Sequence, residues 1–547
     1  MHPQGTNSTT FCPGALDGTL SFPQLLEHHL HNSPRHRAYI YDDGQGGIVS
    51  VDFAKYVGSV HAVCRRVLHD LGSSTKAGAV VAIFADADTL SFCILVAAIM
   101  RAGFVPFCLS PRNSAAGVAN LFQHVTPAAV YISPDVESVM TETRGLCDTQ
   151  FLVLQAPTFD QLQNGADCAA QALPVLSTMA TEDTAIILHS SGSTSIFSKP
   201  IYLSHKMLFQ YASIPWSGNE DHCGKVMAAQ TLPNYHALGV AVGTWPFASG
   251  LTMAILCPTT PPIKPTPQNG LSGIINTRPD MICATPAFIE TWSESANGLE
   301  MMKSVKAVKY IGAPLNKRVG DALFAKGVVL CSGYGAMEVG VVTPFFECHG
   351  ENWDYFTVRK DIDVVRVPEG EGSPLYMHTY LVGPSYTTTF TNSTIDRRPG
   401  CSLSDLLEQH PKNPELHRIY GRKDDIIVLS SGLKISPGSV EAHITRNPLV
   451  QAAVVVGDGR THPSIIIQLT PQSQLDLLDD TKQSKIHDDI WASVEEANKA
   501  SPAHYQIARK MILLADPKKP FSLTSKLQPR RRTVLEDYAK DIDSAYM

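Results

Sequence analysis

The chain has 547 residues, enough for about three or four domain-sized units, and its 44% hydrophobic and 17% charged residues are typical of a soluble globular protein. A formal net charge of −7 provides no basic surface for a nucleic acid. No apolar run approaches the ~20 residues that cross a bilayer, and the N-terminus lacks a secretory signal. We therefore expect a cytoplasmic protein without nucleic-acid or membrane partners.

The 12 cysteines show no Cys-x-x-Cys spacing, which favours reduced core thiols over zinc sites or disulfides. In the N-terminal part, β-branched runs alternate with helix-like segments. Residues 79–84, 105–109 and 128–132 predict strands, and residues 89–102 predict a helix. This alternation favours a layered α/β architecture with mostly parallel sheets. The proline-rich residues 257–270 predict a loop between such units.

The apolar run at residues 184–188 ends in a series of small, hydroxyl-bearing residues after a histidine. The series is His189, Ser190, Ser191, Gly192, Ser193 and Thr194, and Lys199 follows shortly after. Small side chains let backbone N–H groups approach an anion, hydroxyls add donors and the lysine adds a charge, which is typical of a phosphate-binding loop. The Walker pattern is not present here, so the segment alone is equally consistent with an ordinary Ser/Gly turn.

Four further motifs follow along the chain. They are residues 332–338 (SGYGAME), Asp405-Leu406, residues 420–425 (YGRKDD) and residues 520–526 (PFSLTSK). In this order, and over about residues 22–538, the set resembles the adenylate-forming (ANL) enzymes, which include acyl-CoA synthetases, adenylation domains of nonribosomal peptide synthetases and luciferases. Five details are most similar to the adenylation domain of fungal synthetase-like carboxylic acid reductases. They are the histidine before the Ser/Gly loop and residues 109–114 (LSPRNS), 199–201 (KPI), 353–356 (WDYF) and 421–430 (GRKDDIIVLS).

The resemblance implies an α/β fold in two parts. Residues 1–422 would form a large multi-layer core of sheets flanked by helices, and residues 423–547 a small mobile α+β cap. The strand-like runs at residues 451–457 and 464–469 agree with a short, self-contained C-terminal unit. Asp424 matches the hinge that joins the two parts in this family.

The reaction implied is the attack of a carboxylate on the α-phosphorus of ATP, which gives an acyl adenylate and pyrophosphate and depends on positioning and charge neutralisation. The resemblance implies a role in that reaction for each residue that matches a family motif. Ser190, Ser191, Gly192, Ser193 and Thr194 would hold the phosphates with Lys199, Glu338 would bind Mg²⁺, Tyr334 would stack on adenine, Asp405 would accept the ribose hydroxyls with Arg422 nearby, and Lys526 would bridge carboxylate and α-phosphate.

Other matches concern the acyl group and its acceptor. Residues 232–239 (LPNYHALG) match the segment that borders the substrate carboxylate, which implies Tyr235 and catalytic His236; a core histidine bonded to a backbone carbonyl is the alternative for His236. Substrate-lining residues would be Gly312, Ala313, Pro314 and Gly333. Gly432 would line the tunnel for a phosphopantetheine arm.

The chain departs from the family pattern at three places. The loop after Thr194 is one residue longer and lacks the usual Gly and Pro, Met337 replaces a threonine before the metal-binding glutamate, and Leu527 replaces a glycine after the mobile lysine. Glu338, Asp405, Arg422 and Lys526 are retained, so we expect an active enzyme. A nucleotide-binding module without turnover is the alternative.

Residues 234–238 lack the aspartate with which amino-acid-activating relatives bind an α-ammonium group, which disfavours a free α-amino acid. An aryl acid fits the resembled reductases, while Tyr235, Trp245 and Tyr334 leave open a small quaternary ammonium acid such as glycine betaine. The acceptor would be the phosphopantetheine thiol of a carrier domain, downstream in a full-length protein. No carrier serine motif or Gly-x-Gly-x-x-Gly fingerprint occurs in the chain, and an acyl-CoA ligase is the alternative.

Overall fold

The computed structural model describes residues 1–164, 173–176, 180–190, 198–370, 375–431, 433–476, 480–499, 501, 503–523 and 528–547. Some of the residues singled out in the sequence lie outside these described ranges, and their roles stay predictions. They are Ser191, Gly192, Ser193, Thr194, Gly432 and Lys526.

The described strands follow in chain order. They are β1 (Arg37–Asp42), β2 (Ile48–Asp52), β3 (Val80–Phe84), β4 (Val105–Cys108), β5 (Ala129–Ile132), β6 (Leu152–Gln155), β7 (Thr184–His189), β8 (Pro200–Ser204), β9 (Val226–Ala228), β10 (Thr252–Ala254), β11 (Met281–Ala284), β12 (Ala307–Ile311), β13 (Leu330–Gly333), β14 (Gly335–Ala336), β15 (Gly340–Val341), β16 (Val364–Pro368), β17 (Leu375–Leu381), β18 (Ser393–Ile395), β19 (Arg398–Ser402), β20 (Asp405–Gln409), β21 (His417–Arg422), β22 (Ile427–Val428), β23 (Lys434–Ile435), β24 (Val450–Val456), β25 (Ser464–Leu469) and β26 (Ile512–Leu514).

The described α-helices lie between and after these strands. They are α1 (Phe22–Asn32), α2 (Phe53–Leu71), α3 (Thr89–Arg101), α4 (Ala115–His124), α5 (Glu137–Leu146), α6 (Phe159–Asn164), α7 (His205–Ala212), α8 (Ala237–Ser249), α9 (Pro267–Thr277), α10 (Pro286–Ser293), α11 (Ala296–Ser304), α12 (Lys317–Ala325), α13 (Gly438–Ile444), α14 (Pro471–Asp476), α15 (Asp480–Lys499), α16 (Arg531–Asp537) and α17 (Ala539–Ala545).

Two sheets form the N-terminal core. The first has the order β6-β5-β3-β4-β7-β8 and is parallel except for the β7–β8 pair. The second has the order β13-β12-β11-β9-β10-β1-β2 and is parallel except for the β1–β2 pair. The strands predicted from residues 79–84, 105–109 and 128–132, and the helix predicted from 89–102, are confirmed to within one residue at most ends.

Helices separate and cover these sheets, so that apolar side chains are buried on both faces of each. The cluster between the two sheets takes side chains from α1, α2, α3, α7 and α8. Helices α4 and α5 cover the outer face of the first sheet, and α9, α10, α11 and α12 cover the outer face of the second. Two-sided burial explains why the parallel strands are continuously apolar. The layered α/β core predicted from the sequence is confirmed.

The third sheet differs from the mostly parallel arrangement that we expected. It has the order β18-β19-β17-β20-β21, with β16 paired to β17, and all of its described pairs are antiparallel. The connections here are too short to hold a crossover helix, which a parallel pair would need.

The C-terminal part has its own buried side chains. A ribbon of β22 and β23 precedes a sheet with the order β24-β25-β26, and α13 to α17 lie around them. Its two hydrophobic clusters are built from residues between Ile427 and Tyr546.

Polar contacts join this C-terminal part to the rest of the chain. Arg318 of α12 forms an ion pair with Glu496 of α15. The hydroxyls of Tyr420 in β21 and Tyr505 lie 3.1 Å apart, and the Tyr505 hydroxyl also accepts the Ser436 N–H at 2.9 Å. The described contacts across this boundary therefore include an exposed ion pair and a hydrogen bond between two tyrosine hydroxyls.

The loop predicted for residues 257–270 is shorter than expected. Helix α9 begins at Pro267, with Thr266 as its N-cap and a reciprocal capping box to Asn269. Proline is favoured in the first turn of a helix because its missing N–H would have no intrahelical partner there. The last proline of this stretch thus lies in the first turn of a helix and not in the loop.

The expectation that the cysteines are all reduced is wrong for one pair. Cys331 at β13 and Cys348 are joined in a disulfide. Nine other cysteines of the described residues are free, and five of these are buried. In the same described residues, no helix is both long enough and apolar enough to traverse a bilayer.

Two glycines in helices provide a matched test of packing around α12. A Cβ at Gly320 would meet the ring of buried Trp353 at 2.1 Å, whereas a Cβ at exposed Gly58 in α2 would meet nothing within 4 Å. We expect Gly58→Ala to stabilise the fold by roughly 0.5–1 kcal/mol because alanine favours helix. Gly320→Ala should destabilise it by about 1–3 kcal/mol through overpacking. Thermal unfolding of both variants checks this, and equal shifts of the two would contradict it.

Candidate active site

Several candidate site residues follow the carboxyl ends of parallel strands. Strand β4 leads to Ser110, and its parallel neighbour β7 ends at His189. In the second sheet, β12 leads to Gly312 and β13 leads to Tyr334. In open α/β sheets, ligands bind at this end of the strands, because it is where loops from neighbouring strands converge.

His189 ties two loops together at the end of the first sheet. Its Nε2 accepts the Ser110 N–H at 3.0 Å, so the ring proton is on Nδ1, which donates to the Ser190 carbonyl at 2.9 Å. Burial lowers the pKa of His189, which keeps the ring neutral. Two motifs that the sequence analysis noted separately, at residues 109–114 and 189–194, are therefore in contact.

The two residues that flank the predicted phosphate loop, Ser190 and Lys199, are hydrogen-bonded to each other. The Ser190 N–H donates to the Lys199 carbonyl at 2.9 Å, and the Lys199 N–H donates to the Ser190 hydroxyl at 2.9 Å. These bonds extend the antiparallel β7–β8 pair by one step beyond His189 and Pro200. Ser190 and Lys199 are the two predicted phosphate-binding residues that the structure describes.

Tyr334, Asp405 and Arg422 come together from three strands or their ends. The Tyr334 hydroxyl donates to Asp405 Oδ2 at 2.7 Å, and its ring stacks on Phe356 with centroids 5.1 Å apart. Asp405 and Arg422 are facing partners in the β20–β21 pair. Burial, more than the nearby carboxylate, raises the pKa of Tyr334, so the hydroxyl stays a donor. This arrangement leaves the second Asp405 oxygen for another donor, such as a ribose hydroxyl. Stacking of Tyr334 on adenine stays a prediction.

Glu338 lies at the tip of the β14–β15 hairpin. Its carbonyl accepts the Thr389 N–H at 2.9 Å, which fixes the turn. Burial, with a smaller contribution from the Glu338 carboxylate, raises the pKa of Tyr211, which places this carboxylate close to α7. The preceding Met337 is buried. Among the described residues, no group of three or more His, Cys, Asp or Glu side chains is arranged to hold a metal. One carboxylate completed by phosphate oxygens and water is the donor set that Mg²⁺ commonly uses.

The predicted acyl-binding residues lie in two turns. His236 is the N-cap residue of α8, and Tyr235 is half-buried beside it. Gly312 has φ +93°, which explains the glycine at the start of the 312–314 turn after β12. A Cβ at Gly333 would lie 2.8 Å from Lys309 Cε, so the absence of a side chain there makes room for that lysine.

At the predicted hinge, two adjacent carboxylates form ion pairs with different parts of the chain. Residues Lys423–Asp425 form a single 3-10 turn after β21. Asp424 pairs with Arg422 of the N-terminal part at 3.4 Å, whereas Asp425 pairs with Arg531 of α16 at 3.6 Å. Neighbouring side chains thus bind opposite sides of the boundary.

The segments that flank Lys526 are held together and lie near the first sheet. Leu523 pairs with Pro529, and the Arg530 N–H donates to the Ser522 carbonyl at 2.8 Å. The positive charge of Arg530 contributes, after burial, to the lowered pKa of His189. The C-terminal part therefore approaches the end of β7.

The sequence analysis quoted Ser110 and Phe356 within motifs but gave neither a role, and it did not name Lys309. Phe356 supports the Tyr334 ring, Ser110 sets the His189 tautomer, and Lys309 lies beneath Gly333. Lys309 carried a signal, because it is a lone charge in the apolar run of residues 307–311. Nothing in the sequence indicated the partners of the other two.

Comparison with known families agrees with this geometry. The family profile described as "AMP-binding enzyme" matches residues 26–366, more than half of the chain, and the profile described as "AMP-binding enzyme C-terminal domain" matches residues 424–547. The chain belongs to the AMP-binding family of adenylate-forming enzymes. The resemblance to the ANL superfamily is confirmed.

Several curated relatives share most of this chain. "Adenylate-forming reductase Nps10" of Heterobasidion annosum is 33% identical over 566 residues, which cover 99% of this chain and 51% of the relative. A "Carboxylic acid reductase" of Neurospora crassa is 25% identical, with 89% of this chain and 46% of the relative covered. The chain thus spans about half the length of these relatives.

Solved structures show the same fold. The adenylation domain of a carboxylate reductase from Mycobacterium chelonae superposes with a TM-score of 0.72 at 15% identity, covering 98% of this chain and 93% of that one. ATP-bound MatB from Rhodopseudomonas palustris superposes with a TM-score of 0.68 at 18% identity, covering 96% of this chain and 100% of that one. The two-part fold is therefore that of adenylation domains.

The Tyr334–Asp405 bond generates a prediction about nucleotide affinity. We expect Tyr334→Phe to raise the KM for ATP by up to about tenfold, because Asp405 loses the bond of about 1.5 kcal/mol that orients its carboxylate toward the ribose. Tyr39→Phe is the control, since that buried hydroxyl donates to the Val242 carbonyl at 3.1 Å. Steady-state kinetics at varied ATP distinguish the two variants. An equal effect of both on the KM would refute a role for the Tyr334 hydroxyl.

Proposed function

We propose that this chain activates a carboxylic acid with ATP, as the adenylation domain of a carboxylic acid reductase. It would form an acyl adenylate and pass the acyl group to the phosphopantetheine thiol of a carrier domain. The observation that carries the proposal is the Tyr334–Asp405–Arg422 arrangement, which offers an oriented carboxylate to a nucleotide ribose. Membership of the AMP-binding family and the named reductase relatives support it.

In this proposal the phosphates lie between the Ser190–Lys199 loop and Glu338. Serine and threonine hydroxyls and backbone N–H groups of residues 190–194 donate to phosphate oxygens, and Lys199 adds a charge. Mg²⁺, when bound by Glu338, supplies neutralisation of phosphate charge. Tyr334 stacks on adenine. These positions all belong to loops at the strand ends or to the turn beside them.

Lys526 is proposed as the cation that acts on the reacting carboxylate and α-phosphate. The flanking residues support this, because Leu523 and Pro529 pair and Arg530 lies near His189. His236 and Tyr235 border the carboxylate from the start of α8. The turn of Gly312, Ala313 and Pro314, together with Gly333, lines the acyl pocket.

We further propose that residues 1–422 and 423–547 are the two units and that Asp424 is the hinge. The opposite pairing of Asp424 and Asp425, and the separate hydrophobic clusters after Ile427, support this boundary. Rotation of the small unit would bring Gly432 to the path of the carrier thiol. The carrier domain would be a further part of a longer protein, in agreement with the half-length coverage of the relatives. The cytoplasmic location expected from the sequence stays a prediction.

Lys526→Ala tests the adenylation step. Because the lysine acts on charge that develops at the reacting centre, we expect a loss of about 10²-fold or more in pyrophosphate exchange, with ATP affinity nearly unchanged. The exposed Lys510 of the same unit provides the control variant Lys510→Ala. Exchange is measured over a panel of aryl, aliphatic and betaine acids, and ATP binding by calorimetry. Wild-type rates of pyrophosphate exchange in Lys526→Ala would refute the proposed role of Lys526.

The same panel separates the alternatives. ATP binding without exchange for any acid identifies a nucleotide-binding module. Release of a coenzyme A thioester from a mixture that contains coenzyme A identifies an acyl-CoA ligase. Transfer to a phosphopantetheinylated carrier, with little product on coenzyme A, supports the proposed reductase domain.

Asp424→Pro tests the hinge. Proline fixes φ near −65°, a value close to that of a 3-10 turn, and removes one soft torsion. We expect pyrophosphate exchange to persist while thioester formation on the carrier falls at least about tenfold, because only the second step needs the small unit to move. Asp424→Ala is the control, since it removes the Arg422 ion pair but leaves the torsion free. Equal loss of both half-reactions would indicate misfolding, and loss of neither would place the hinge elsewhere.

A further inference from the structure

We infer that the ammonium group of Lys309 binds an anionic or hydrogen-bond-accepting substituent at the end of the substrate remote from its reacting carboxylate. The substrate class would then be aryl acids with such a substituent, for example a phenolic hydroxyl or a second carboxylate. This inference rests on the proposed function, because it assumes that the acyl group lies next to Gly333, against which the stem of Lys309 packs.

Lys309 faces the interior that the acyl group is proposed to enter. It is in register with Cys283 of β11 and Cys331 of β13. Alternation along β12 puts it on the same face as Ile311, which packs in the cluster that includes α8, whereas Val308 and Tyr310 pack on the outer helices. Its stem lies against Gly333, which is itself a predicted substrate-lining residue.

The depth of Lys309 suits a group remote from the carboxylate. It lies two residues before the end of β12, so it is about 7 Å deeper in the sheet than Ile311, at which the strand ends. The Gly312 turn and Tyr334, proposed to surround the reacting end, both come after the strand ends. One substituted aromatic ring spans a distance of this size.

The ammonium has unused donors. Lys309 is 4% exposed, and its Nζ donates to the Pro344 carbonyl at 2.8 Å. The Phe346 ring lies 5.9 Å away. No residue of the described ranges forms an ion pair with this group, although an ammonium carries three donors. Because burying a charge is costly, and a neutral donor would satisfy Pro344 equally well, a ligand with an acceptor accounts for this lysine better than a structural role does.

The surrounding segment holds the ammonium in place. The Cys331–Cys348 disulfide ties the 344–348 segment to β13, next to Lys309 in register. Phe346 has φ +47°, an unusual conformation for a residue with a side chain, and it presents its ring to Lys309. Such conformations persist where the surroundings fix them, often at binding sites.

The positive charge of Lys309 favours one of the two substrate classes that the sequence analysis left open, the aryl acids, over quaternary ammonium acids. Burial lowers the pKa of Lys309 to about 8, so the group is largely protonated at neutral pH. A quaternary ammonium acid would bring a second positive charge into the same pocket, where like charges repel strongly. An aryl acid with an acceptor substituent gains an attraction instead, so glycine betaine is disfavoured.

The test compares terephthalic acid and 4-hydroxybenzoic acid with benzoic acid, using the full chain. Lys309→Met should reduce kcat/KM in pyrophosphate exchange by about tenfold to hundredfold for the two substituted acids, mainly through KM, and by little for benzoic acid. Lys306→Met, which removes an exposed lysine paired with Glu220, should affect none of them. Equal losses for all three acids in Lys309→Met, or no preference for the substituted acids in the wild-type protein, would overturn the inference.

A second measurement does not need the variant to fold. The ratio of kcat/KM for terephthalic over benzoic acid in the wild-type protein should fall between pH 7 and pH 9, as Lys309 loses its proton. The titratable groups that face Lys309 are Cys283 from β11 and Glu347 and His349 from the neighbouring segment. Burial raises the pKa of Cys283 to about 12, and burial lowers that of His349, so neither changes charge in this range. A ratio independent of pH would count against the inference.

Calorimetric binding of the same acids separates this inference from the proposed function. Tighter binding of terephthalic acid to the wild-type protein than to Lys309→Met, without exchange for any acid, would support Lys309 and reject adenylation. Equal binding to both proteins would reject the role of Lys309, whether or not exchange occurs.

Discussion

Parallel pairing of β4 with β7, of β11 with β12 and of β12 with β13 forces the carboxyl ends of these strands to the same edge of their sheets. Every loop that leaves this edge starts from a position fixed by the hydrogen-bonded ladder and by buried side chains on both faces. The loops can then vary in sequence while their first residues keep their places. The contact between Ser110 and His189, and the approach of Tyr334 to Asp405, both depend on this alignment.

Much of the fold followed from local pattern. The strands β3, β4 and β5 are short apolar runs, and Asp88 caps α3 by accepting the Ser91 N–H, so the signals lie within a few residues of each element. The grouping of Tyr334, Asp405 and Arg422 was also expected, because the resemblance covered all three motifs in order. Local pattern and family order thus sufficed where the partners are close in sequence or the motif is specific.

Other features depend on contacts between distant segments. The pairing of Cys331 with Cys348 requires the loop after β15 to return beside β13, and cysteine spacing alone does not indicate such a path. The tautomer of neutral His189 follows from the N–H of Ser110, a residue that is 79 positions away in the chain. Lys309 is a charge in an apolar run, a signal that the sequence analysis did not use, and its proposed role needed the knowledge of which face of β12 it occupies.

The contacts that Arg318 and Tyr420 make with the C-terminal part have a consequence for solution conditions. The Arg318–Glu496 pair is more than half exposed on both sides, so dissolved salt screens it and its net contribution is small. Contacts of this kind break and re-form readily. In the proposed function the small unit rotates, and the balance between its orientations should then shift with ionic strength, so that crystals grown from concentrated salt and from polymer precipitants are expected to capture different orientations.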